Sequence, residues 1–226
     1  VTEWLPLFPL GTVLFPGLVL PLHLFEDRYL RLAADLLDRP GPRRFGVVGI
    51  ELGHQAGGPP GLGPERTPRL AEIGCVAELQ EATRHPDGRY DIVTVGSRRF
   101  RLKGVDRSLP YLCGEVEALP EGPGADPGPA ARRARSLYQV YRRRIAAVGA
   151  QPAEQVDPPA DPVRLSYLIA AAVVLDGHDK QRLLAAEDAA LRLRIECDLL
   201  ARENRLLKAL PTVPAGQFLD GSFQPN

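Results

Sequence analysis

The chain has 226 residues, room for one large domain or two small ones, and its 44% hydrophobic and 25% charged content is ordinary for a soluble globular protein. Basic and acidic residues number 28 each and the formal net charge is zero, which argues against a wholly basic nucleic-acid binder and leaves only local basic patches to consider.

The first element is the stretch Trp4–Tyr29, WLPLFPLGTVLFPGLVLPLHLFEDRY. From Trp4 to Phe25 its one titratable side chain is His23, and Pro6, Pro9, Pro16, Pro21, Gly11 and Gly17 interrupt it. In a helix each internal proline would remove a donor and clash with the preceding turn, at about 3 kcal/mol apiece. The stretch is therefore read as two short strands, Leu5–Leu10 and Val19–Leu24, joined by a tight turn at Phe15-Pro16-Gly17-Leu18. Pro and then Gly at the two central positions suit a type II turn. Phe8, Leu10, Phe15, Leu20, Leu22 and Phe25 are expected to line the core. The same breakers argue against a membrane-spanning helix, which needs about 20 apolar residues. The start Val1-Thr2-Glu3 lacks the basic region of a signal peptide, so a cytoplasmic protein with no membrane association is expected. Methionine is absent, and Val1 is read as a translated start codon or a trimmed end.

A helix over Glu26–Leu37 follows, with Tyr29, Leu30, Ala33 and Leu37 on one stripe. Arg44–Glu51 is apolar on both faces and reads as a central strand. Leu52–Pro68 is rich in Gly and Pro and lacks apolar anchors, the composition of a mobile loop. Gly74–Thr83 and Tyr90–Gly96 flank His85-Pro86-Asp87-Gly88-Arg89 and form a hairpin with Gly88 left-handed. Arg98–Val105 alternates, placing Arg99, Arg101 and Lys103 on one face and Phe100 and Leu102 on the other. Tyr111–Leu119 is the last strand, and its Glu115 and Glu117 are expected opposite that basic face. Residues 120–129 (PEGPGADPGP) are a linker by composition, and everything after them reads helical.

In the helical half, Ala130–Val148 places Leu137, Val140, Tyr141, Ile145 and Val148 on one face. Asp161-Pro162 is a cap followed by a first-turn proline, and Tyr167–Leu175 is apolar all round, hence a buried central helix. Asp179–Ala186 is short, and Asp188 caps a long helix to about Leu210. That helix carries two stripes. One is Leu191, Ile195, Leu199, Leu206 and Leu210; the other is Leu193, Cys197, Leu200 and Leu207. If one stripe faces the bundle, the other packs against the short helix or the tail, or else Leu193, Leu200 and Leu207 form a partner surface. The division expected is 1–119, a β part with one helix; 120–129, a linker; 130–210, a helical bundle; and 211–226, a tail.

Catalytic chemistry is sparse. No GxxxxGK[ST] phosphate loop occurs, and Ser97, Ser108, Ser136, Ser166 and Ser222 sit in no GxSxG or SxxK pattern. His23 and Glu26 are close in sequence but have no nucleophile or orienting group beside them, and a structural role is expected. His54, His85 and His178 fall in turns or loops without ligand spacing, and the cysteines Cys75, Cys113 and Cys197 form no CxxC pair. No metal and no cofactor is expected, and the cysteines read as buried residues of a reducing cytosol. Two basic clusters stand out, Arg98/Arg99/Arg101/Lys103 and Arg132/Arg133/Arg135 with Arg142–Arg144. Aromatic stacking partners do not interleave with them, apart from Phe100 on the opposite face, so they read as solvated faces.

The segment LPLFPLGTVLFPGLVLPLHLFEDRY resembles the opening signature of the Lon protease amino-terminal, substrate-binding domain family. RFGVVGI (Arg44–Ile50), IGCVAE (Ile73–Glu78), PDGRY (Pro86–Tyr90), GSRRFRL (Gly96–Leu102) and DKQRLL (Asp179–Leu184) continue it in order, so that it covers roughly Leu5 to Leu210. The resemblance implies an α+β fold, a PUA-like, mostly antiparallel β pseudo-barrel followed by a C-terminal helical bundle. It also implies a stand-alone recognition part without the ATPase and Ser–Lys protease machinery, so that protease kinship brings no catalytic residues. The function it implies is non-catalytic binding of polypeptide or a partner protein, in the groove where the β part meets the helices, gated by the 52–68 loop. Leu14, Phe15 and Leu18 are the expected peptide contacts, because a turn tip with three large apolar residues is hard to bury. The alternatives are a hydrolase acting alone, which requires a compact nucleophile–base pair, and a PUA-like RNA binder, whose affinity would fall steeply with salt. Nucleic acid is not the expected partner, and the oligomeric state is left open.

Overall fold

A computed structural model of the chain describes residues 2–38, 40–51, 69–148 and 157–209. The strands are β1 (Thr2–Leu10), β2 (Val19–Leu24), β3 (Arg44–Glu51), β4 (Arg69–Leu70), β5 (Ile73–Arg84), β6 (Tyr90–Asp106) and β7 (Cys113–Ala118). The helices are α1 (Asp27–Asp38), α2 (Gly128–Ala147), α3 (Pro162–Ala172), α4 (Gly177–Ala185) and α5 (Ala189–Ala209). The sheet runs β1-β7-β6-β5-β3-β4, and a parallel β1–β3 pairing closes it on itself. The other strand pairs are antiparallel, so the fold is a mostly antiparallel pseudo-barrel followed by helices, an α+β protein. Closure removes edges that would otherwise expose unpaired backbone.

The opening stretch forms both expected strands, but they do not pair with each other. β1 lies between β3 and β7, while β2 pairs with β6. The turn between them has Gly17 at φ +83° and Leu18 N–H donating to the Phe15 carbonyl, the type II geometry. It docks on β6 as well: Gly17 N–H donates to the Gly96 carbonyl (2.7 Å) and Gly96 N–H to the Leu18 carbonyl (2.8 Å). A Cβ on Gly96 would stand 2.3 Å from the Phe15 oxygen, so only glycine permits this crossing. β6 is 17 residues long, and one of its edges serves two strands, β2 along Tyr90–Val95 and β7 along Phe100–Asp106. The β5–β6 hairpin turns at Gly88, φ +88°, as the turn chemistry requires.

Alternation along the strands sends Leu7, Val48, Val76, Phe100 and Val116 into one cluster and Phe8, Phe45, Val47 and Ile92 into another, which α1 covers with Tyr29, Leu32 and Leu36. Phe25 departs from the expected core and is 62% exposed, because it lies past the end of β2, where the alternation that buries Leu24 stops. Lys103 pairs with Glu117 at 2.8 Å across β6–β7, and Arg101 faces Glu117 in register. Glu115 sits opposite Gly104, shifted by a bulge after Leu102.

Among the helices, Asp161 caps α3 by accepting from Arg164 N–H (2.8 Å) and Asp188 caps α5 by accepting from Leu191 N–H (2.8 Å). The buried face of α2 is Ala131, Ala134, Tyr138 and Tyr141; Val148, expected on it, is exposed one residue past the helix end. Both stripes of α5 are packed. Leu193, Cys197 and Leu200 meet α2 and α3, while Ile195 and Leu199 meet Phe15, Tyr167 and Leu183. The partner surface expected at Leu193, Leu200 and Leu207 is corrected accordingly: Leu193 and Leu200 are fully buried, and Leu207 is packed beside them, because α5 runs between other helices. Leu206 of the first stripe is exposed instead. The 52–68 loop, Leu210 and the 211–226 tail lie outside the described residues.

Candidate recognition site

Between the β part and the helices, where a binding groove was expected, the structure is filled. Phe15, Ile73, Tyr167, Leu183, Leu184 and Leu199 pack there as one cluster. Arg99 reaches into it from β6 and is 1% exposed. Its guanidinium donates to Glu121 Oε1 (2.6 Å) and to the carbonyls of Leu184 (2.8 Å), Ala186 (2.5 Å), Pro120 (3.2 Å) and Glu187 (3.2 Å). Tyr167 donates its hydroxyl to Glu121 Oε2 (2.7 Å), and the buried Arg192 guanidinium lies 4.0 Å over the Tyr167 ring. Burial pushes the Tyr167 hydroxyl well above the usual phenol range, so it stays a donor. Gln181 adds a bond to the Ile73 carbonyl (2.8 Å). The expected peptide contacts are corrected likewise: Phe15 lies inside this cluster and Leu14 in the cluster under α1. Leu14 and Phe15 are 4% and 0% exposed, and Leu18 is half-buried, because the tip folds down onto Gly96 of β6.

Among the described residues, a second candidate face lies where β1, β2 and α1 meet. A cavity of about 430 Å³ is lined at its base by Phe8 and Tyr29, whose rings stack at 4.0 Å, and along its sides by Leu10, Leu22, Ile50, Leu70 and Leu112. Its rim is polar: His23, Glu26, Arg28 and Arg107, with the exposed ring of Phe25 among them. Arg28 donates to Glu26 (2.9 Å) and lies 4.6 Å over the Tyr29 ring. Arg107 is set by the turn in which Asp106 accepts from Ser108 N–H (2.9 Å) and Oγ (2.7 Å), bonds that hold the Asp106 carboxyl below the usual range. The Leu7 N–H bond to the Leu112 carbonyl (2.7 Å) and the Tyr111 hydroxyl bond to Asp35 (2.7 Å) fix that segment against β1 and α1. An apolar trough with a cationic rim suits a chain segment that carries large side chains and exposed carbonyls. A larger depression of about 490 Å³ between α2 and α5 is shallow, and its polar wall closes on itself where Arg144 donates to the Asn204 carbonyl.

His23 does not pair with Glu26. Its Nδ1 lies 2.6 Å from Asp91 Oδ1, and His85 Nε2 lies 2.7 Å from Asp91 Oδ2. Hydrogen bonds from His23 first, then His85, hold the Asp91 carboxyl below its ordinary value. Neither the junction nor this cluster was visible in sequence. Arg99 alternates with Arg101 and Lys103 as if solvated, and His23 and Asp91 are 68 residues apart. The one available signal was Arg192, set among the apolar residues of α5.

The serine hydroxyls of the described residues bond Val76, Arg132 and Val163 carbonyls or Asp106. The Cys75 and Cys197 thiols are free and pushed up by burial, the latter to about 11, which leaves them poor nucleophiles. In the first basic cluster Arg98 pairs with Glu3, which Arg44 of β3 also meets, Arg101 with Glu72 and Lys103 with Glu117. In the second, Arg135 donates to the Pro158 and Pro159 carbonyls. Among the described residues no helix is long and apolar enough to cross a membrane.

Residues 4–202 match the family model of the ATP-dependent protease La (LON) substrate-binding domain. The chain belongs to this family. Lon protease 2 of Myxococcus xanthus is 27% identical over 215 residues, 92% of this chain but 24% of that protein. Lon protease of Anaeromyxobacter dehalogenans is 28% identical over 211 residues, 90% of this chain and 24% of that protein. The chain thus spans about a quarter of the length of the curated Lon relatives it matches. Among solved structures, the N-terminal domain of the Mycobacterium avium complex Lon protease aligns with a TM-score of 0.63 at 21% identity, covering 88% of this chain and 98% of that one. A Lon N-terminal domain protein from Xanthomonas campestris aligns at 0.59 and 24% identity, covering 92% and 99%. Both show the shared Lon N-terminal fold.

Proposed function

We propose that this chain is a non-catalytic module of the cytoplasm that binds polypeptide segments in the trough between β1, β2 and α1. The observation that carries the reading is the pairing of a substrate-binding family match over 4–202 with an open apolar cavity rimmed by Phe25 and Arg28. Apolar side chains of the bound segment lie on Phe8, Leu22 and Tyr29. Its carbonyls and carboxylates meet the Arg28 and Arg107 guanidinium groups, and charge-assisted bonds of this kind are the stronger ones. The junction around Arg99 holds the fold and takes no ligand. Fluorescence anisotropy of a labelled, permanently unfolded polypeptide with the full chain tests this. Phe25→Ser is expected to weaken binding about tenfold, whereas Leu206→Ser, exposed on α5, leaves it unchanged. Equal affinity for wild type and Phe25→Ser, or cleavage of the polypeptide by the purified chain, would contradict the reading.

A further inference from the structure

The chain has four histidines, and two of them converge on one carboxylate. His23 of β2 stands directly opposite Asp91 of β6 in the antiparallel register, and the β5–β6 hairpin returns His85 to the same carboxylate. One donor atom from each of the three residues lies within 4.8 Å of the others, and the two imidazole centroids are 6.1 Å apart. The side chains are 48%, 37% and 54% exposed, so an ion reaches them from solvent. We propose that His23, His85 and Asp91 form a binding site for a divalent transition-metal cation of the zinc, nickel or copper kind.

Donor chemistry selects the ion class: two imidazole nitrogens and one carboxylate suit zinc, nickel or copper, whereas magnesium and calcium prefer all-oxygen sets. Metal–ligand bonds of about 2.0–2.1 Å in a tetrahedron separate donors by about 3.3 Å. The present separations from Asp91, 2.6 Å for His23 and 2.7 Å for His85, therefore open by about 0.6–0.7 Å, a shift exposed side chains make by rotation. No electron transfer is involved. Each ring releases the proton it now directs at Asp91 or carries it on its other nitrogen, and the neutral nitrogen binds the ion. Three protein ligands leave a coordination position to solvent. A second group, Asp176, His178 and Asp179, has its carboxylates engaged: Asp176 caps α4 by accepting from Asp179 N–H (2.7 Å), and Asp179 pairs with Arg202 at 2.7 Å.

The test is calorimetric titration of Zn²⁺ into the full chain at pH 7.5, repeated with His23→Ala, His85→Ala, Asp91→Asn and His178→Ala, each checked for folding by circular dichroism. One equivalent is expected, weakened at least tenfold by each of the first three substitutions and unchanged by His178→Ala. Imidazole NMR signals of His23 and His85 should shift and saturate together. Binding that survives intact in the His23→Ala and His85→Ala proteins, loss on His178→Ala, or absence of saturable binding by the wild-type chain would overturn the assignment.

Discussion

Arg99 at the junction and Arg28 at the trough each bond a glutamate and lie near a tyrosine, yet their surroundings differ. The Arg99 guanidinium meets five oxygens and is 1% exposed, whereas the Arg28 side chain is 53% exposed and bonds Glu26 beside the Tyr29 ring. A buried charge persists only when its hydrogen-bonding capacity is met from within, and a site so satisfied has nothing left for a ligand. A solvated guanidinium over an aromatic ring exchanges water for a ligand at little cost. The comparison separates residues that hold the β part to the helices from those that, on the proposed function, meet a bound polypeptide.

The sharpest way to break the comparison is Arg99→Met. It removes a donor from the Glu121 carboxylate, which keeps only Tyr167, and from four carbonyls, of which Ala186 keeps Arg192, and a loss of about 3–5 kcal/mol in urea unfolding is expected. Stability unchanged within about 0.5 kcal/mol would mean that the junction is not held by this residue. Gly96→Ala comes next. Its Cβ meets the Phe15 carbonyl oxygen, part of the backbone, so the turn must lift from β6, at about 1–3 kcal/mol by the same measurement.

Glu196 sharpens the contrast in the opposite direction. It is 1% exposed, neither carboxylate oxygen has a hydrogen-bond partner, and burial raises its pKa well above the carboxylate range despite nearby Arg192. The folded state therefore holds a proton that the unfolded chain releases near pH 4.3. By linkage, this group's contribution to stability falls as pH rises from about 4.3 through the raised folded value. Its neighbours are Ile169, Val173, Leu183, Leu199 and Leu200, so Glu196→Leu is expected to gain about 1–2 kcal/mol at pH 8 and to flatten the pH dependence. Destabilisation at pH 8 would show that the carboxylate has a role in the native state. The smallest effect on stability is that of Phe25→Ser, within about 0.5 kcal/mol, because the ring it removes is already solvated.

Local chemistry made much of the fold legible. The proline and glycine of the Phe15–Leu18 turn, Gly88 in the hairpin, the Asp161-Pro162 start and the Asp188 cap act within a few residues, and all appear where their chemistry places them. What long-range packing decides was not legible. The outward face of β6 counts as solvent only if nothing later covers it, and residues 184–187 after β6 in the chain cover Arg99. Period-3.6 reasoning found both stripes of α5 but not which neighbours they meet. The trough combines residues from β1, β2, α1, β3, β4 and the segment after β6, too dispersed for any spacing to show. The Leu14–Phe15–Leu18 tip looked exposed because the Gly96 crossing that receives it lies some 80 residues away.

Amide chemical-shift mapping of the full chain, titrated with an unfolded polypeptide, tests the central claim most directly, with mass spectrometry of the polypeptide afterwards. The account predicts saturable shifts at Leu22, Phe25, Arg28, Tyr29 and Leu112, none at Arg99, Tyr167 or Leu184, and a polypeptide recovered intact. Shifts centred on the junction or the α2–α5 face, or recovery of cleaved fragments, would contradict it.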